Sequence, residues 1–365
     1  MDKNTLFSSF GKYVSPINIV KLQQGIDQIG QDKYVKKLTT KAYLLLFLHA
    51  QLQQREGLRA IADDVCSKEF QRTLGLSSIS LSQLSRKNNQ VEPALLEEIL
   101  IDLVGQIQRL SSSAYSLRTD IKIIDSTTIG LFLQKYKWAA SRKSKAGIKI
   151  HLRLVFANQQ DVYLEKITIT PTKSNDRTQM ESLVEAIGAM YVFDQGYVDY
   201  EKFDDHTDKG IFFASRLKDN AEIRHLYAFK IPLETAVLSD SMILLGTPQK
   251  RVDNVLRLIE TLDSKGNHIR IITNRFDLEA EELSDIYRCR WQVELFFKWI
   301  KQHVKIKNFY GTSDKAVQNQ VFIALIAYCL LLIVKLERNS HHSLLQISRW
   351  LKCFSGRRLS SGSAG

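Results

Sequence analysis

The sequence predicts a mixed α/β protein, with an all-helical N-terminal lobe followed by a sheet domain that carries a β-rich insertion. Three observations predict it. Apolar residues recur at helical spacing up to about residue 115. From Asp120 the period shortens, and brief alternating runs take over. Near the end of the sheet block, the stretch YRCRWQVELFFKWIK from Tyr287 to Lys301 contains neither Pro nor Gly and reads as helix.

In chain order, Lys41–Leu52 is an apolar helix and Gly57–Val65 a second. The connector Leu74-Gly-Leu76 leads to a third helix at Ser80–Lys87. The spacing of the last pieces resembles a helix-turn-helix, and an ordinary helical bundle accounts for the same pattern. Leu95–Leu110 closes the lobe, and Ser111–Ser113 reads as a linker. Ile121–Asp125 is a short strand ending in an acid. Ile148–Phe156 and Val162–Thr170 alternate as a hairpin with Asp161 at the turn. A helix over Asp176–Met190 has Ser174 or Asn175 as its N-cap. A strand at Met190–Phe193 again ends in an acid, Asp194. Tyr200–Thr207 is a helix and Ile211–Arg216 a strand.

Four further strand-like pieces follow: Ile223–Phe229, Ala236–Leu245, Val255–Leu262 and His268–Thr273. One long helix is expected from about Asp277 to Val304. This order, a three-stranded start, a helix, a fourth strand and more helices, is that of a ribonuclease-H-like mixed sheet. The expected domains are 1–115, helical and DNA-binding; 116–335, catalytic, with the insertion at about 219–275; and 336–365, a C-terminal helix and a disordered tail from Gly356.

The chain has 365 residues, enough for a full core and more than one lobe. Its net charge of +12 suits a polyanionic partner, nucleic acid or an anionic membrane. Clustering separates these. Gln134–Arg153 holds seven Lys and Arg and no acid, among them Lys143, Lys145 and Lys149; Tyr287–Tyr310 holds six Lys and Arg against Glu294 alone. Such tracts favour a nucleic-acid path and no membrane. Four scattered cysteines without a CxxC pair argue against a zinc knuckle or disulfide framework and for a reducing cytosol. The N-terminus has no apolar signal core. The most apolar run, Val321–Val334, is short for a bilayer span and reads as a buried helix. A cytoplasmic, nucleoid-associated protein is expected.

At about 100° per residue, Tyr287, Arg290, Glu294, Lys298 and Lys301 fall within an arc of roughly 80°. Ile286, Val293, Phe297, Ile300 and Val304 form an apolar stripe beside them. One face packs, and the adjoining face presents a single carboxylate among groups that touch phosphates. A surface helix with i,i+4 pairs such as Glu294 and Lys298 is the plain alternative. In the expected sheet the first and fourth strands are neighbours, so Asp125 and Asp194 converge and Glu294 completes the set. Three carboxylates without His or Cys suit a hard cation, Mg²⁺ or Mn²⁺. Taken singly, Asp125 reads as a turn cap and Asp194 as a pin for the turn before Gly196.

These residues resemble those of the bacterial DDE transposases of the IS-four insertion-sequence family. The family signature of Tyr, Arg, Glu and Lys falls on Tyr287, Arg290, Glu294 and Lys301, with Trp291 in a common position after the Arg. Asp125 in IIDSTTI and Asp194 in VFDQGY resemble the first two acidic segments; Gln195 departs from the frequent Arg. KYVKKLTTKAYLLLFLHAQLQQREGLRAIADDV also resembles the N-terminal domain of one branch, so the likeness spans roughly residues 5 to 335. The resemblance implies cut-and-paste transposition with two metal ions. Water attacks at the terminal inverted repeat, the freed 3′-OH closes a hairpin on the opposite strand, and the reopened end joins target DNA. It implies Asp125, Asp194 and Glu294 as catalytic metal ligands. It also implies phosphate contacts from Tyr287, Arg290, Lys298 and Lys301, a stacking or packing role for Trp291, and a homodimer holding two ends. Two alternatives stay open: a related metal-dependent nuclease, and a catalytically inactive transposase-derived DNA-binding protein.

Overall fold

The computed structural model describes residues 9–66, 68–112, 121–142, 145–156, 161–173, 176–231, 235–263, 265–303 and 309–355. Among the described residues, seven α-helices come first: α1 Ser9–Val14, α2 Ile19–Ile29, α3 Thr40–Gln53, α4 Leu58–Asp63, α5 Lys68–Leu74, α6 Leu81–Gln90 and α7 Pro93–Ser112. Strands β1 Ile121–Leu131, β2 Ala140–Arg142, β3 Lys145–Phe156 and β4 Val162–Pro171 follow, then α8 Asp176–Leu183, β5 Met190–Phe193, α9 Tyr200–Asp208 and β6 Phe212–Arg216. The chain continues through β7 Ile223–Ala228, β8 Val237–Thr247, β9 Lys250–Arg251, β10 Leu256–Leu262 and β11 His268–Thr273. It ends with α10 Ala280–Arg288, α11 Trp291–His303, α12 Asp314–Glu337 and α13 Leu344–Ser355.

Two compact units result. The first comprises residues 1–114, 134–138 and 299–365. Its centre is α12, which is apolar all round and therefore needs neighbours on every side. It packs against α7, α3, α6, α13 and α1. Of its most apolar 18 residues, 89% are buried, so length and composition suited to a membrane here serve a core helix. Polar groups entering this core are partly paired: Tyr13 donates to Ala327 O at 3.0 Å, Tyr43 to Asn88 Oδ1 at 2.8 Å and Asn319 to Val91 O at 2.9 Å, while Asn88 Nδ2 and Asn319 Oδ1 have no partner among the described residues. The expected catalytic domain ran to residue 335. In the structure α12 groups by contacts with the helices, among them α7 and α3. The expected helix-turn-helix region holds a third short helix, α5, between α4 and α6. The Ser111–Ser113 linker begins inside α7.

The second unit comprises residues 115–133 and 139–298. It is one mixed sheet in the order β2-β3-β1-β5-β6-β11-β10-β8-β7, with β4 also paired to β3 and β9 to β8. β1, β3 and β4 pair antiparallel, while β1–β5 and β5–β6 are parallel. β11 then adds antiparallel to β6, and β10, β8 and β7 extend the sheet in turn. Strands β7, β8, β10 and β11 thus continue the main sheet. Phe193, Phe203, Phe213, Leu258 and Ile272 belong to one buried cluster with Met180 and Leu183 of α8, and Phe203 stacks on Phe213 at 4.4 Å. The helix expected over 176–190 stops at Leu183, where Gly188 takes a positive φ and turns the chain into β5. The expected tail from Gly356, the caps Ser174 and Asn175, and Val304 lie outside the described residues.

Candidate active site

Ile123 and Ile124 of β1 are both fully buried, as expected of a strand with partners on both sides and layers on both faces. The last β1–β5 register pair is Ile124 with Phe193. Asp125 and Asp194 are therefore the next residues on two parallel neighbours, at the point where their pairing ends. Asp194 follows the end of β5 and opens a short turn over Gln195–Tyr197. Asp125 does not end its strand, as the sequence suggested. β1 runs on to Leu131, because Ser126–Leu131 remain paired to β3. The Ser126 N–H donates to Asp125 Oδ1 at 2.7 Å.

The long helix expected over 277–304 is two helices. Between α10 and α11, the N–H groups of Arg290, Gln292 and Val293 donate to the carbonyls of Tyr287, Cys289 and Arg290, each at 3.0 Å. One turn is thus tightened to i→i+3 bonding, which needs no Pro or Gly and so leaves no mark in the sequence. The apolar stripe is nonetheless buried: Ile286, Val293, Phe297 and Ile300 are at most 6% exposed.

From the tightened turn Arg290 reaches both other elements. Its Nη1 lies 3.3 Å from Asp125 Oδ2, and its Nη2 lies 3.0 Å from Glu294 Oε1 in the first turn of α11. Burial pushes the Asp125 carboxyl up to about 6. The Ser126 N–H and Arg290 oppose that rise, while the charges of Asp194 and Glu294 add to it. Burial opposes the Arg290 charge, but Tyr287, Asp125, Asp194 and the hydrogen bond to Glu294 together raise it above its ordinary value. Burial likewise raises Tyr287, with Arg290 and Arg216 opposing and Asp194 reinforcing. These mutual effects put three acids, two arginines and a tyrosine in one electrostatic cluster, drawn from β1, the end of β5, the end of β6, α10 and α11. As the side chains stand, Arg290 bridges Asp125 and Glu294. Among the described residues, no three His, Cys, Asp or Glu side chains are grouped to hold one metal ion.

The expected DNA contacts divide. Trp291 is 54% exposed, which removes a core-packing role, and Lys298 and Lys301 are exposed on α11. Tyr287 is only 5% exposed and lies within the cluster instead of on the surface. Lys145 is exposed at the start of β3, Lys149 is half-buried further along it, and Lys143 lies outside the described residues. Sequence reasoning missed Arg216. Its only signal was a basic residue at the end of a strand next to an acid-bearing one. An open cavity of about 410 Å³ was also missed; Tyr200, Leu217, Lys218, Glu222 and Lys250 line it.

Carboxylates thus crowd around an arginine at the end of a parallel strand pair, with exposed lysines on the adjoining helix. Comparison with known proteins specifies the class. Residues 116–330 match the family described as "Transposase DDE domain", and residues 5–77 match a domain of unknown function (DUF4372). A probable transposase for insertion sequence element IS5377 from Geobacillus stearothermophilus is 28% identical over 92% of this chain and 88% of its own length. The putative transposase y4zB of Sinorhizobium fredii is 31% identical over 68% of this chain and 70% of its own. A cryo-EM structure of the piggyBac transposase synaptic complex with hairpin DNA overlays with a TM-score of 0.45 at 10% identity, covering 98% of this chain and 82% of that one. The chain belongs to the transposase DDE-domain family, enzymes of polynucleotidyl transfer in DNA transposition.

Proposed function

We propose that this chain is a cut-and-paste transposase of the IS-four type, with a ribonuclease-H-like catalytic unit that cleaves terminal inverted repeats and joins them to target DNA. One observation carries the reading. Asp125, Asp194 and Glu294, far apart in sequence, share one electrostatic cluster with Arg290 and Tyr287 of the four-residue signature. The succession β4-β3-β1-β5-β6, with β1, β5 and β6 parallel, supports the ribonuclease-H-like assignment.

The donor set is all carboxylate oxygen, which fits Mg²⁺ or Mn²⁺. Asp125, Asp194 and Glu294 would hold the ions. Bound ions supply an activated water and stabilise the leaving oxygen of an in-line phosphoryl transfer. The chain's own residues do the rest. Arg290 must turn from Asp125 and Glu294 toward a phosphate, freeing both carboxylates and neutralising the scissile group in one movement. Lys298 and Lys301 continue the positive edge along α11. Trp291 offers an exposed ring for an unpaired base near a hairpin bend. Tyr287 lies buried in the same cluster as Arg290, close enough for each to shift the other's charge. The active form is a homodimer holding two ends.

The test uses DNA carrying the repeats that flank the gene, incubated with the full chain and Mg²⁺. Glu294→Ala should abolish cutting and leave DNA binding largely intact; near-normal cleavage would sink the assignment. Hairpin ends and joined products separate a transposase from a nuclease that only cuts.

A further inference from the structure

We propose that the loop joining α2 to α3 is a contact surface for the sugar-phosphate backbone of duplex DNA. The inference rests on the reading above that DNA is the partner. It assigns a task to part of the N-terminal segment whose family match carries no function.

Residues 33–41, KYVKKLTTK, contain four lysines and no acid. Lys33, Lys36 and Lys37 are exposed, and none of the four lysines has an ion pair among the described residues. The one acid beside them is already committed. Asp32 accepts from the Thr40 N–H at 2.8 Å, from the Thr40 hydroxyl at 2.7 Å and from Lys87 Nζ at 2.5 Å. Asp32 therefore ties the start of the loop to its end, and Lys87 cancels its charge.

The loop has a set shape. Lys33 N donates to Gly30 O, Val35 N to Asp32 O and Thr39 N to Lys37 O. Leu38 anchors it in the core at 5% exposure. Tyr34 stands out on this frame. It is 88% exposed and holds a φ of 65°, a left-handed conformation that a tyrosine rarely adopts. Lys33 Nζ lies 5.4 Å from the centre of its ring. Core packing explains neither its exposure nor its backbone. An aromatic ring flanked by unpaired lysines on a braced loop matches what a phosphate backbone and its sugars require. Lysines neutralise phosphates, and a flat apolar ring meets the deoxyribose edge.

The experiment measures binding of the full chain to a duplex from the flanking repeats and to an unrelated duplex, each across a salt series. Lys33→Ala/Lys36→Ala/Lys37→Ala should weaken both by roughly tenfold or more. It should also lower the slope of log affinity against log salt by about 2 to 3, since each lost phosphate contact removes about 0.9. The corresponding triple Lys→Arg variant should restore both values. Tyr34→Gly, which suits the positive φ and so preserves the loop, should weaken binding without changing the slope. A triple alanine variant with unaltered melting temperature, affinity and slope overturns the proposal. Loss of binding to phosphatidylserine vesicles in that variant, with DNA binding intact, overturns it in favour of a membrane surface. If the loop variants bind as wild type while wild type still cuts its repeats, only this inference falls. If wild type binds no DNA at low salt, the proposed function falls with it.

Discussion

Two arginine–aspartate pairs in the sheet unit look alike in sequence and differ in what surrounds them. Arg257 and Asp240 face each other across β10 and β8, with contacts of 2.9 and 2.7 Å and side chains 7% and 5% exposed. The remaining arm of Arg257 donates to Leu278 O at 2.6 Å and Arg275 O at 3.3 Å, so it holds the chain that enters α10. Phe229 lies under the guanidinium at 5.5 Å. Every charge there has a partner. Arg290 and Asp125 make a single 3.3 Å contact at 19% and 18% exposure, and the other arm of Arg290 is shared with Glu294. Three acids share two guanidiniums there, those of Arg290 and Arg216. The first pair is finished and serves as a strut. The second crowds three carboxylates around two guanidiniums, and its charges are left partly unmatched.

The largest expected contrast is in activity. Asp125→Asn should lower cleavage of repeat DNA on the order of 10³-fold, the scale of losing a principal electrostatic contributor, with little change in melting temperature. Its ionised form is already disfavoured by burial and by Asp194 and Glu294, so the amide costs the fold little. Arg257→Ala should do the reverse. Stranding Asp240 unpaired in the sheet should cost about 3–5 kcal/mol of stability in urea titration, while cleavage per folded molecule stays within a few-fold of wild type. Arg290→Ala should cost about 1 kcal/mol or less, because its pair is partly solvated. If Arg290→Ala destabilised as much as Arg257→Ala, the contrast between strut and site would be lost.

Much of this was legible in the sequence for identifiable reasons. Met190–Phe193 and His268–Thr273 carry unbroken strand patterns between turn residues, and both match the structure to the residue. The buried stripe of α10 and α11 followed from helical spacing. The break at Cys289 and Arg290 did not, because a change from i→i+4 to i→i+3 bonding leaves composition and periodicity intact. The continuation of β1 past Asp125 was hidden because Ser126-Thr-Thr128 also reads as a turn; pairing with β3, a tertiary fact, decides it. The three acids could be named because each follows an apolar run or sits alone among basic residues. Arg290 as the bridge between two of them required the fold.

The smallest expected effect extends the comparison to a buried group with no side-chain partner. His206 of α9 is 8% exposed, and its Nε2 has no hydrogen-bond partner. Burial, with smaller contributions from Lys202 and Lys209 against Asp205, lowers its pKa from 6.5 to about 4. The folded chain therefore keeps His206 neutral where the unfolded chain takes up a proton. The stability it contributes is present above pH 6.5 and is lost as pH falls from 6.5 through 4, because the unfolded state binds the extra proton in that window. Allowing for partial solvation, the loss should be about 2 kcal/mol. Urea midpoints measured at pH 7 and pH 4 for wild type and His206→Phe should show the wild type losing more, with the difference between the two chains confined to that interval. Equal losses in both would mean that water reaches Nε2. His206 would then join Arg257 among the satisfied groups.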